Sequence, residues 1–350
     1  MGAYWLMAQL VFCVAGNAET GIGHLMRCLA LAQEAEVQGV DSVFVVDDAA
    51  KALCLSRHDW CGRLVGVTQD EQARLAAVHK ESAQAHTIAV VVDGYTFSEG
   101  FIHSLCDGET PVVLLDDIMQ PGFERVALIC NPAGEHLHSA YQQANPTALL
   151  CLGSRYRLLR REFSVTMPLP IVQRVSLTIN MGGSDPVGLT VPLLKAIADA
   201  LPDAPIRVVT GPGYQQLEAL QTVIASSQSA IQHVHNCQDM ADLWSNARLA
   251  IAAAGGSQFE LAACLTPSVL LVVADNQINA TQQAATQGWC ESWDARDKPD
   301  LTALVSRIVS LWENDAELAT MHQKAQAHAE TQGALELLSC IARLEPANVS

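Results

Sequence analysis

Residues 16–32, Gly-Asn-Ala-Glu-Thr-Gly-Ile-Gly-His-Leu-Met-Arg-Cys-Leu-Ala-Leu-Ala, set Gly21 and Gly23 just before His24 and place Arg27 one helical turn further on. Imidazole is the side chain best matched to proton transfer near neutral pH. His24 follows an apolar run and opens a helix-period pattern, so it belongs in the first turn of a helix. The positive dipole end there disfavours imidazolium by about 0.3–1 kcal/mol. A general base is one use of such a position; a polar first-turn residue facing solvent is the other. Arg27 either binds an anion or covers the helix surface. The glycines let a backbone approach a ligand closely, but Gly16, Gly21 and Gly23 do not have the G-x-G-x-x-G spacing of a dinucleotide loop.

Three further stretches carry candidate chemistry. In Asn-Met-Gly-Gly-Ser-Asp-Pro-Val-Gly (180–188), Ser184 or Asp185 suits a helix cap and Pro186 the first helical position. That leaves Gly182 and Gly183 for the close approach of a diphosphate or sugar. In Ala-Ala-Gly-Gly-Ser-Gln-Phe-Glu-Leu-Ala-Ala (253–263), Ser257 and Glu260 have the S-x-x-E spacing of a capping box. The rival use is a phosphate cradle at Gly255, Gly256 and Ser257, with Glu260 accepting hydrogen bonds from ribose hydroxyls. Asn276 and Gln277 follow another apolar run, where polar side chains often meet ligand. Asp93, Asp117 and Asn131 also end apolar runs, as ligand contacts or as turn caps.

The elements that must position these residues are legible as alternation. Apolar runs at 10–15, 42–47, 88–93, 112–117, 127–130 and 148–152 are separated in part by helix-period segments such as 24–38. A second series at 175–181, 206–211, 231–235, 249–254 and 268–274 alternates with helical patterns near 186–201, 214–227, 238–246 and 257–265. Continuous apolar strands alternating with helices predict parallel sheets covered on both faces. The 350 residues suit two such domains. Pro168 and Pro170 place the boundary near 165–174, giving an N-terminal Rossmann-like domain over 1–168 and a C-terminal one over 169–350 closed by two or three helices. Ligands of open α/β sheets sit beyond the carboxyl ends of the strands, where all the loops above fall.

A net charge of −17 argues against nucleic-acid partners and against a polybasic membrane surface. The eleven cysteines contain no C-x-x-C pair, and several lie in apolar strands, so neither a disulfide framework nor a metal site is expected and a reducing cytoplasm is. The apolar start lacks a basic flank and a cleavage site and is too short to span a bilayer; it reads as the first core strand, with residues 1–6 as an extension.

With these residues in view, the chain resembles the UDP-2,4-diacetamido-2,4,6-trideoxy-β-L-altropyranose hydrolases of pseudaminic acid biosynthesis and related spore-coat polysaccharide proteins. Gly-Ile-Gly-His-Leu-Met-Arg-Cys-Leu-Ala-Leu-Ala looks like their G-x-G-H-x-x-R-C-L-x-L-A signature, and Val-Val-Asp-Gly-Tyr, Leu-Leu-Asp-Asp-Ile, Ile-Cys-Asn-Pro, Asn-Met-Gly-Gly-Ser-Asp and the 253–277 segment follow in family order. The resemblance implies a GT-B fold, two Rossmann-like domains facing across a cleft. It implies metal-free, cofactor-free hydrolysis of a UDP-sugar, with the histidine matching His24 activating water for attack at the anomeric carbon. The C-terminal domain would hold UDP: uracil near 233–240, ribose on Glu260, diphosphate at Gly255, Gly256 and Ser257. Tyr95 matches a sugar-side tyrosine. One departure stands out: the family's R-x-D pair before the glycine loop is here Cys13 and Ala15. The alternatives are a glycosyltransferase using an acceptor hydroxyl in place of water and a UDP-sugar binder without turnover.

Overall fold

The structure, a computed structural model, describes residues 8–15, 22–297 and 299–344. Among these the chain forms two compact units. The first comprises the opening strand, Ile22–Ser164 and the segment from Thr331 onward; the second comprises Val165–Glu330.

The first unit runs β1 (Ala8–Val14), α1 (Gly23–Val37), β2 (Asp41–Asp47), α2 (Asp48–Leu55), β3 (Arg63–Val67), α3 (Glu71–Ser82), β4 (His86–Asp93), α4 (Glu99–Cys106), β5 (Val112–Leu115), β6 (Leu128–Asn131), α5 (His138–Ala144), β7 (Leu149–Leu152) and the short α6 (Glu162–Val165), which ends where the second unit begins. Its seven strands lie in the order β3-β2-β1-β4-β5-β6-β7. All pair in parallel. Burial on both faces explains the unbroken apolar runs: Leu10, Phe12 and Val14 of β1 pack on one side with Leu25, Leu31 and Phe44. Val11 and Cys13 pack on the other with Val45, Val92 and Ile102. The strand order reverses between β1 and β4, so the crevice at their carboxyl ends is the natural ligand position of this sheet.

The second unit continues β8 (Ser176–Asn180), α7 (Thr190–Ala200), β9 (Ile206–Thr210), α8 (Leu217–Ser226), β10 (Ile231–His235), α9 (Met240–Ser245), β11 (Ala247–Ala253), α10 (Gly256–Ala263), β12 (Ser268–Val272), α11 (Ile278–Thr286), β13 (Cys290–Asp294), α12 (Leu301–Trp312) and α13 (Asp315–Ala325). Its parallel sheet has the order β10-β9-β8-β11-β12-β13, with the reversal between β8 and β11.

Two strands escape the apolar-run criterion, β3 and β13. Both are sheet edges and only partly buried, so their sequences, Arg-Leu-Val-Gly-Val and Cys-Glu-Ser-Trp-Asp, lack a continuous apolar stretch. A second difference concerns the C-terminus. The last helix, α14 (Gly333–Ile341), does not close the second unit but packs against α1 in the first. Its Leu337, Leu338 and Ile341 join the core beside Leu25 and Leu31. A third is local: α7 starts at Thr190, four residues later than the Pro186 start expected, because Asp185 (φ 50°) and Gly188 (φ 67°) turn the chain first. Asp185 nevertheless caps the helix, accepting from the N–H groups of Leu189 and Thr190 at 3.0 and 2.8 Å.

Candidate functional site

In the first unit His24 and Arg27 of α1 meet the strand ends of β4 and β5. His24 is the second residue of its helix. Its Nδ1 lies 2.7 Å from Oδ1 of Asp93, the last residue of β4, whose side chain is wholly buried. Arg27 reaches the same carboxylate, donating from Nε to Oδ2 at 2.5 Å and from Nη2 to Oδ1 at 2.6 Å. Its Nη1 bridges both oxygens of Asp117, just beyond β5, at 2.9 and 2.8 Å. Tyr95 donates its hydroxyl to Asp117 Oδ2 at 2.5 Å and presents its ring edge-on to His24, centroids 4.6 Å apart.

The charges of this cluster are interdependent. Burial alone would raise the Asp93 pKa, but the Arg27 guanidinium and the His24 imidazole outweigh it and hold the carboxyl below its ordinary range. Asp93 is therefore ionised at neutral pH and accepts from Nδ1–H, which leaves His24 Nε2 as the acceptor nitrogen. Burial works against the charge of Arg27, yet Asp117 and Asp93 keep it protonated. Cys28, whose Sγ lies 3.5 Å from Asp93 Oδ2, has its thiol pushed well up by burial and by that carboxylate, so it is no nucleophile at neutral pH. The hydroxyl of Tyr95 is also pushed up, by burial first and Asp117 second, and stays protonated.

This geometry decides several points the sequence left open. His24 is not a solvent-facing helix residue: its side chain is only 11% exposed. Arg27 is not an open anion receptor, because its guanidinium is taken up by two carboxylates; it is the scaffold that holds them. Of the three strand-end residues, Asp93 and Asp117 belong to the cluster. Asn131 instead closes a turn, accepting from Ala133 N–H at 3.1 Å and donating to the Tyr141 hydroxyl, also at 3.1 Å. Gly21 lies outside the described residues. Gly23 opens α1, and a Cβ there would meet nothing within 4 Å.

Cys13 and Ala15, which stand where the hydrolases the motifs resemble carry R-x-D, are filled tightly. Cys13 is fully buried, and burial pushes its thiol up to about 12. A guanidinium does reach this neighbourhood, from Arg74 of α3, which donates to the carbonyls of Val14 and Val45 at 3.1 and 3.3 Å. Ala15 donates its N–H to the Asp93 carbonyl at 2.8 Å. Its methyl group fits only because residue 94 is glycine: a Cβ on Gly94 (φ 143°) would lie 2.4 Å from the Ala15 Cβ. The apolar pair thus packs the β1–β4 seam directly behind the carboxylate cluster.

The second unit gathers its candidates at its own reversal point. Gly182 (φ 79°) turns the chain after β8. Gly183 has a structural reason beside the ligand one, since a side chain on Gly211 would strike its carbonyl at 2.5 Å; the two loops touch there. Ser184 is half-buried beside them. Beyond β11, Gly255 takes φ 98° and ψ −139°, a conformation essentially reserved for glycine, and α10 begins at Gly256 with no side-chain cap. By contrast Asp47, Asp70, Ser98, Asp239, Asp300 and Asn314 each cap a helix.

The capping-box reading of Ser257 and Glu260 is overturned. The helix starts earlier than that motif requires, so Ser257 is already inside the first turn and cannot be the cap. Glu260 instead accepts the indole N–H of Trp244 at 3.2 Å. Gln277 faces the same loop. Its Oε1 accepts from Val273 N–H at 2.9 Å, which turns its Nε2 toward Gly255, 3.3 Å from where a Cβ would stand. Asn276 beside it is exposed. Uncapped helix N–H groups, an open glycine and an amide donor make a cradle for an anion.

Among the described residues no helix is long and apolar enough to cross a membrane.

Comparisons with known proteins agree with this architecture. Residues 180–337 match the glycosyltransferase family 28 C-terminal domain. An uncharacterized protein of Methanocaldococcus jannaschii, MJ1062, is 23% identical over 273 residues, covering 75% of this chain and 55% of that protein. The chain thus spans about half the length of this curated relative. Among solved structures it is similar to the UDP-GlcNAc 2-epimerase of Neisseria meningitidis bound to UDP-GlcNAc, with a TM-score of 0.68 at 10% identity over 96% of this chain and 100% of that one. It is likewise similar to MurG of Acinetobacter baumannii, with a TM-score of 0.64 at 18% identity over 96% and 99%. The chain has the GT-B fold, two parallel-sheet α/β units.

Proposed function

We propose that this protein acts on a UDP-sugar, breaking the bond between the anomeric carbon and the diphosphate, with His24 as general base and water as the acceptor. The observation that carries the reading is the Asp93–His24 pair at the reversal point of the first sheet. An ionised, wholly buried carboxylate fixes the Nδ1–H tautomer and leaves Nε2 to take a proton. The same arrangement stabilises the imidazolium that forms.

In this reading the C-terminal unit binds UDP. The diphosphate lies on the N–H groups at Gly255, Gly256 and Ser257 with Gln277 Nε2, the ribose hydroxyls on Glu260, and Gly182, Gly183, Ser184 and Asn276 complete the contact. The match to a glycosyltransferase C-terminal domain over 180–337 supports that assignment. His24 Nε2 removes a proton from water as the water oxygen bonds to the anomeric carbon. The carbon–oxygen bond to UDP breaks, and its electron pair leaves on the diphosphate. Free sugar and UDP are the products, and the imidazolium returns its proton to solvent. Positive charge developing on the sugar ring favours nearby anions, and Asp117 is the partly exposed one of the cluster. Tyr95, 43% exposed and anchored on Asp117, contacts the sugar. On the resemblance of the motifs, the sugar proposed is a diacetamido-trideoxyhexose and the pathway proposed is pseudaminic acid biosynthesis, in the cytoplasm.

The same base serves a transferase if a sugar or lipid hydroxyl replaces water, and the glycosyltransferase match favours that second reading. Product analysis in ¹⁸O-water separates them. Hydrolysis by C–O cleavage puts the label on the sugar's anomeric hydroxyl and none on UDP, without any acceptor. UDP release that requires an added acceptor alcohol selects the transferase. A folded protein that binds UDP and releases none under either condition removes both.

A further inference from the structure

Trp244 is the fully buried indole of α9, and its N–H has gone to a charged partner on another helix, Glu260 of α10. Burial of tryptophan requires some acceptor for that N–H, but a backbone carbonyl would satisfy it at lower cost than a carboxylate, which must give up hydration to be there. The carboxylate chosen is also the one that stands three residues beyond Ser257 on the helix proposed to carry the diphosphate. The backbone that carries the indole is firmly held: the Trp244 carbonyl accepts from the Thr266 hydroxyl at 2.8 Å, and that hydroxyl accepts from buried Arg174 at 3.1 Å. Arg174 spends its other donors on the carbonyls of Leu169, Ala247, Cys264 and Leu265. A wholly buried ring on a firmly held backbone thus donates its one N–H to Glu260.

Resting on the UDP-binding reading, we infer that Trp244 is a positioning residue that sets the rotamer of Glu260 for recognition of the vicinal hydroxyls of ribose. A flexible glutamate would have to surrender rotamer freedom on binding; one already held by the indole has done so before the ligand arrives. The indole therefore acts on ribose hydroxyl recognition alone and not on base or diphosphate.

The test is a double comparison by calorimetry, using UDP and 2′,3′-dideoxy-UDP on the full chain, with wild type, Trp244→Phe, Glu260→Gln and the double variant. Trp244→Phe is expected to weaken UDP by about three- to tenfold, to leave dideoxy-UDP unchanged, and to add nothing once Glu260 is glutamine. Equal weakening of both nucleotides, or no weakening of UDP, overturns the role of Trp244 while leaving UDP binding intact. Failure of wild type to bind UDP at all overturns the underlying reading instead. Should Trp244→Phe not fold, the wild-type protein labelled with ¹⁵N at its indoles decides the matter. An indole resonance that is displaced in folded Glu260→Gln must shift with UDP and stay put with dideoxy-UDP, and identical shifts with the two refute the inference.

Discussion

Asp93 is the residue on which the proposed chemistry turns. His24→Ala is expected to keep UDP affinity and to lower turnover by about 10²–10⁴, the usual worth of a positioned base; steady-state rates beside calorimetric UDP binding check it. Asp93→Asn keeps the size of the side chain but no longer enforces the Nδ1–H tautomer, so a loss in the same range is expected. Its effect on stability has a defined pH course. The folded-state pKa of Asp93 is held below the ordinary carboxylate value of about 3.9. Its contribution is therefore complete above that value and disappears as pH falls through the lower, folded one. Melting temperatures of wild type and Asp93→Asn should still differ at pH 5 and converge only below about pH 4. Convergence already near pH 6 would assign the stabilisation to another group.

At the scale of elements, two junctions depend on a glycine at positive φ with a close neighbour. Gly94 joins β4 to the loop bearing Tyr95, at φ 143° and with the Ala15 methyl where its own Cβ would be. Gly94→Ala should cost about 1–3 kcal/mol for the backbone conformation alone, with the clash in addition. In urea unfolding, adding Ala15→Gly should recover the clash and not the conformational part. Cys13→Arg, which would bring in one half of the family's R-x-D pair, puts a second guanidinium beside Arg74 inside an apolar layer. A destabilisation of several kcal/mol is expected from burying an unpaired charge, read as a fall in denaturant midpoint. On the other unit, Gly255→Ala forces φ 98° on a residue with a side chain and crowds Gln277; UDP affinity should fall with little change in the fold of the sheet.

At the scale of the whole molecule, the helix that follows the second unit belongs to the first. α14 carries Leu337, wholly buried in the core of the first unit.

 The whole second unit intervenes in sequence, yet the segment from Thr331 onward returns to α1. Leu337→Ala is expected to cost about 2–5 kcal/mol and to act on the first unit. Hydrogen exchange should quicken in α1 and β1 while the amides of β8, β11 and β12 keep their protection. Quickening confined to the second unit would contradict the packing. Because α1 also bears His24 and Arg27, a loosened α14 should lower turnover more than UDP affinity.

Much of this protein was legible in the chain itself. Runs of valine, isoleucine and leucine marked eleven of the thirteen strands among the described residues, since a parallel strand covered on both faces has no polar side to show; β3 and β13 stayed hidden because these two edge strands are only partly buried and lack a continuous apolar stretch. The glycine-bearing junctions at Gly23, Gly182–Gly183 and Gly255–Gly256 were visible as strand-to-helix connections, and His24 as the residue to watch. What the sequence could not supply was partnership. Asp93 and Asp117 lie 69 and 93 positions beyond His24, and only the parallel register of β1, β4 and β5 brings them to α1. Arg27 reads equally as an anion receptor or a cover for the helix surface until both carboxylates are seen on it, and Ser257–Glu260 equally as a capping box or a ligand contact until the helix is seen to begin at Gly256. Local pattern decides which residues form a strand or a helix because those forces act within a few residues. Which charges neutralise one another depends on which strand ends are neighbours, and that is a property of the folded sheet alone.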